Sequence, residues 1–102
     1  MEEDRRRFSN RLMKVLCEEW DKVNPDPWDT VNLNTLRSDT IYERLVNEGT
    51  EVPDDAMYEV IEDLKAGALI RATYIQNRDA RHQHGNWTIT WVDYDGLCDL
   101  LS

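Results

Sequence analysis

Apolar residues return every three or four positions at the start of the chain. Phe8, Leu12, Val15, Leu16, Cys17, Trp20 and Val23 share one helical stripe, which predicts a helix over 3–23. Glu2, Glu3 and Asp4 stand at its positive end, where the helix dipole favours acids. Asn24-Pro25-Asp26-Pro27 stops it, because proline disfavours the helical conformation in the residue before it. From Trp28 to Leu36 the rhythm weakens to an alternation over Thr30-Val31-Asn32-Leu33-Asn34, which predicts a short edge strand. Val31, Leu33 and Leu36 are expected in the core, with Trp28 covering it.

A short helix is expected over 39–48, capped by Ser38 or Asp39. Ile41, Leu45 and Val46 should point inward, and Gly49 supplies the stop. Pro53 suits the first position of a further helix, and Ala56, Met57, Val60, Ile61 and Leu64 give that helix a clear stripe over 53–66. Gly67 closes it. Two strands follow, 69–75 and 87–92. In the second, Trp87, Ile89 and Trp91 are expected on one face and Thr88 and Thr90 on the other. The polar run 76–86 between them reads as a hairpin tip. A last helix over 94–101 carries Leu97, Cys98, Leu100 and Leu101.

The stretch Val52 to Ile70 reads VPDDAMYEVIEDLKAGALI. It resembles the second half of a winged helix-turn-helix of the MarR or PadR kind. There a helix patterned V-Y-x-x-L-x-x-L leads to G-L-I where the wing begins. Met57-Tyr58 takes the V-Y place, Ile61 and Leu64 the two Leu places, and Leu69-Ile70 the L-I place. The chain departs in having Ala68 before that pair and Gly67 one position earlier, so the helix should end sooner and shift the wing register. The resemblance spans about 38–92. It implies an α+β winged helix-turn-helix: a three-helix core, a two-stranded β-hairpin wing and an extra short C-terminal helix. One domain fills 1–102, with an N-terminal helix in 1–24, the helix-turn-helix in 38–66, the wing hairpin in 68–92 and the C-terminal helix in 94–102. Helix 53–66 would be the recognition helix and 76–86 the wing tip. The first and last helices would form a homodimer surface.

A length of 102 residues suits one domain, and 40% hydrophobic residues can supply one modest core. No apolar run nears the ~20 residues of a membrane span. MEEDRRRF lacks the apolar stretch of a secretory signal, so the expected location is the cytoplasm, without membrane association. Cys17 and Cys98 show no metal-ligand spacing; they read as reduced thiols, with a disulfide between the first and last elements as the alternative.

Charge complicates the implied DNA binding. The net charge is −9. Residues 38–66 hold two bases, Arg44 and Lys65, against nine acids, a balance of −7. The outward face of the expected recognition helix would show Asp55, Tyr58, Glu59, Glu62 and Asp63. Bases in DNA are read mainly by Arg, Lys, Asn and Gln, and phosphates repel acids. In a salt-rich cell the Debye length shrinks to ~3 Å and this objection weakens. The segment 71–86 holds Arg71, Arg78 and Arg81 against Asp79, and His82 and His84 can add charge in mild acid. Arg5, Arg6, Arg7 and Arg11 form a second basic run, read either as a phosphate patch or as partners of nearby acids.

The leading expectation is therefore a DNA-binding transcription regulator that holds double-stranded DNA wing first. Its nucleic-acid-binding residues would be Arg71, Arg78, Arg81, His82 and His84, with Tyr58 from the recognition helix. The alternative is an acidic module or DNA mimic that binds a basic, nucleic-acid-binding protein. His82 and His84 with Asp79 fall short of a full metal-ligand set. Trp20, Trp28, Trp87 and Trp91 are expected in the core and at its margins. No nucleophile–base pair, phosphate loop or distinctive carboxylate pair is seen, so neither an enzyme nor a cofactor is expected.

Overall fold

The computed structural model describes residues 2–26, 28–29, 31–53, 55–75 and 86–101, with the backbone alone for 2–4. The order is α1 (Glu2–Val23), β1 (Leu36–Arg37), α2 (Ser38–Asn47), α3 (Ala56–Ala66), β2 (Ile70–Tyr74), β3 (Trp87–Val92) and α4 (Tyr94–Leu101). Among the described residues this is an α+β domain of four helices and one antiparallel sheet, ordered β1–β3–β2. Leu12 and Leu16 of α1 meet Ile41 and Leu45 of α2, Met57 and Ile61 of α3, Ile70 and Ile89 of the sheet, and Leu97 of α4 in one buried core.

The connector after α1 departs from the expected edge strand. Asn24 accepts the Asn34 N–H at 2.7 Å and donates to its carbonyl at 3.0 Å. Asn34 donates back to the Val23 carbonyl at 2.7 Å. Asp26 accepts the Trp28 N–H, and Asp29 those of Val31 and Asn32. These side-chain turns take the backbone groups that a strand would need. Val31 and Trp28 are consequently turned outward, 87% and 89% exposed, while Leu33 is partly buried and Leu36 fully so. The strand forms later, with Leu36 opposite Ile89 and Arg37 opposite Thr88.

Helix α2 starts directly after β1. Its N-cap is Arg37, without a side-chain cap bond, and Ser38 turns inward to β3 instead. The Ser38 hydroxyl accepts the Trp87 N–H at 3.1 Å and donates to the Trp87 carbonyl at 3.3 Å. Val46 lies on the outer side of the helix, half-exposed, against expectation. At the far end Gly49 adopts φ 80, and the N–H groups of Gly49 and Thr50 return to the carbonyls of Val46 and Leu45. That pair of bonds is a Schellman stop.

Helix α3 begins three residues later than Pro53 suggests. Asp55 stands in the left-handed region at φ 62, which breaks the helical path ahead of Ala56. Its end repeats the Schellman pattern, with Ala68 bonded to the Lys65 carbonyl and Leu69 to that of Leu64. Gly67 has an ordinary φ of −81, and the left-handed position at φ 60 falls on Ala68. Glycine's freedom stands one residue before the place that uses it.

The hairpin contains a bulge. Arg71 pairs with Trp91, and the next pair is Ala72 with Ile89, so Thr90 is extra. Trp87 and Ile89 remain on the core side, but beyond Thr90 the faces exchange. Val92 is buried, and Trp91 is 37% exposed rather than inward. Asp93 then caps α4, accepting the Gly96 N–H at 3.1 Å.

Two stability changes are expected from urea unfolding. Ala68→Gly relieves a left-handed alanine and should stabilise the fold by about 0.5–1 kcal/mol. Ser38→Ala strips partners from two buried backbone groups of Trp87 and should cost about 1–3 kcal/mol.

A candidate binding surface on the third helix

Helix α3 buries Met57, Val60, Ile61 and Leu64, so the same turns carry Tyr58, Glu59, Glu62, Asp63 and Lys65 outward. The cross-strand pair Tyr74–Trp87 lies at the hairpin end nearest that helix. Tyr58 meets Tyr74 edge-on at 5.3 Å between ring centres and Trp87 at 5.6 Å, and Tyr74 meets Trp87 at 5.1 Å. The Lys65 ammonium stands 5.6 Å over the Trp87 ring, a cation–π distance. Trp87 is buried, whereas Tyr58 and Tyr74 keep 41% and 39% of their surface. Asn86 donates to the Tyr74 hydroxyl at 3.3 Å. The result is an aromatic step with an open upper side.

Acids border that step. Glu59 pairs with Arg5 of α1 at 2.7 Å. Asp55, Glu62 and Asp63 are exposed and have no ion pair among the described residues. The carboxylates farther along behave differently. Arg44 joins Glu18, Glu19 and Glu48, and Arg11 also reaches Glu48. This network ties α1 to α2 through Arg11 and Arg44. Arg5 and Arg11 of the N-terminal basic run thus pair with acids distant in the chain.

The expected nucleic-acid-binding residues do not converge where they are described. Tyr58 belongs to the aromatic step. Arg71 lies on the other face of the sheet, its guanidinium 5.6 Å over the Trp91 ring. Arg78, Arg81, His82 and His84 lie outside the described residues, as does Asp79. Apolar rhythm alone does not reveal Tyr74, Trp87 and Lys65 as partners of Tyr58. The available signal was the strand pairing, since strands meeting across a hairpin place Tyr74 opposite Trp87. Among the described residues no three His, Cys, Asp or Glu side chains are placed to hold a metal ion, and no helix is long and apolar enough to cross a membrane.

Cys17 on α1 and Cys98 on α4 are free thiols in hydrogen-bond contact. Burial, and then the neighbouring Cys98, push the Cys17 thiol up to about 12. Folding therefore favours its protonated form. That contribution is complete below the unfolded value near 9.0 and is lost as pH rises toward about 12. Urea titrations above pH 9 should show stability falling by up to about 1.4 kcal/mol per pH unit, and Cys17→Ala should remove that part of the slope.

No family model, no curated protein and no solved structure matches the chain.

Proposed function

We propose that this chain is a winged helix-turn-helix domain that acts as a non-catalytic binding module, and that α3 docks a basic protein segment. The element order and the strand order β1–β3–β2 support the winged reading: α2, a turn and α3 are followed directly by the hairpin. The observation that carries the binding reading is the placement of three acids without an ion pair among the described residues, Asp55, Glu62 and Asp63, on the helix whose Tyr58 meets Tyr74 at an open edge. Aromatic side chains with a polar tip give contact area at low entropic cost, and opposed charge steers and selects the partner. A phosphate backbone would meet repulsion on the same face.

Duplex DNA is the second reading, favoured by the basic balance of 71–86 and by the exposure of Arg71. It needs contact through the hairpin with α3 turned away. Self-association through α1 and α4 is compatible with either reading, since Tyr94 and Leu100 are exposed on α4.

Fluorescence anisotropy with a labelled Arg/Lys-rich peptide and with a random duplex separates these readings. The peptide should bind in low salt, and Glu62→Gln/Asp63→Asn or Tyr58→Ala should weaken it at least about fivefold. Glu51→Gln, off the helix face, should leave it unchanged. A peptide that ignores the α3 variants overturns the proposal. A duplex that binds while the peptide does not establishes the DNA reading instead.

A further inference from the structure

A second feature stands away from α3. A cavity of about 450 Å³ opens between the end of α1, the connector, the end of β3 and the start of α4. That volume is within the range of small-molecule sites. Trp20, Trp91 and Tyr94 supply aromatic wall, and among the described residues neither Lys nor Arg lines it. Trp20 is 7% exposed and what surface it keeps is toward this space. Its indole N–H makes no hydrogen bond to the protein among the described residues and is open to solvent. An acceptor on a ligand can therefore take the place of water at that donor.

The rest of the lining favours positive charge. Asp26, Asp29 and Asp93 are held in place by backbone N–H groups. The N–H groups of Asn32 and Val31 lower the Asp29 pKa, which keeps it ionised. Asp21 and Asp95 are exposed and have no ion pair among the described residues. These carboxylates do not converge: no three of the described ones are placed to hold a metal ion. Their charge is spread along the walls, which suits an extended organic cation better than a point charge. The Trp91 ring already attracts the Arg71 guanidinium at 5.6 Å.

We propose that this cavity binds an organic cation, an alkylammonium or guanidinium group with a hydrogen-bond acceptor beside it. The cation lies against Trp91 and Tyr94 and faces Asp21 and Asp95. The acceptor takes the Trp20 indole N–H. The same chemistry is offered by a lysine or arginine of a peptide and by a free small amine. The site is separate from the α3 face and does not rest on the function proposed for it.

NMR of the indole N–H groups reads the site directly. N-acetyl-lysinamide should shift the Trp20 signal saturably. The neutral isostere N-acetyl-norleucinamide should bind at least about tenfold more weakly, as should the lysine probe to Asp21→Asn/Asp95→Asn or to Trp91→Leu. Both aspartates are exposed, so the double variant tests the site without removing core. Butylammonium binding as tightly as N-acetyl-lysinamide identifies a free amine as the ligand, and weaker binding identifies a peptide side chain. An unshifted Trp20 signal at tens of millimolar probe overturns the proposal. So does equal affinity for the neutral isostere, or affinity unchanged in both variants.

Discussion

A central strand must satisfy backbone groups on both edges, and Trp87–Val92 is that strand here. β2 covers one edge throughout, whereas β1 offers only Leu36 and Arg37 to the other. Where β1 ends, the Ser38 hydroxyl takes over both the N–H and the carbonyl of Trp87. That substitution fixes the first residue of α2. At the opposite end the Asp93 N–H bonds to the Leu69 carbonyl and the Asp93 carboxylate caps α4. The start of α2, the chain leaving α3 and the start of α4 are thereby all tied to one strand. The aromatic step and the cavity near Trp91 lie at its two ends.

The acids of this chain divide into two populations. Glu18, Glu19 and Glu48 surround Arg44, at the seam between α1 and α2. Their charge is balanced locally by Arg44, Arg11 and Lys22, with Glu19 buried in the seam. Among the described residues, Asp55, Glu62 and Asp63 of the α3 face and Asp21 and Asp95 of the cavity have no ion pair. Unbalanced charge repels itself within a folded domain, so it is a standing cost of the native state. Its concentration beside exposed rings, in two separate places, is what turns a net charge of −9 into an argument about ligands.

The helices were legible because their burial stripes are long and regular. Phe8 to Trp20, and Met57 to Leu64, read the same in sequence and in space. Three departures arise from local hydrogen bonding or backbone conformation that overrides apolar rhythm. The connector looked strand-like, but Asn24, Asp29 and Asn34 spend its backbone groups on turns. Pro53 looked like a helix start, and the left-handed Asp55 defers that start to Ala56. The alternation of β3 looked continuous, and a single extra residue at Thr90 moves Trp91 to the other face. Composition alone could not reveal the candidate surface, because Tyr58, Tyr74 and Trp87 come together only once strand register is known.

The two-residue β1 has a consequence for how the chain folds. Leu36 meets Ile89, a partner more than fifty residues away. Closing so long a loop is slow compared with winding a helix. The helices α1, α2 and α3 can therefore condense early, while Leu12 and Leu16 wait for Ile89 and Leu97 to complete their surroundings. During that interval the first helix presents its apolar side to whatever is nearby. The last pieces of the sequence thus close a core whose first pieces lie at the other end of the chain.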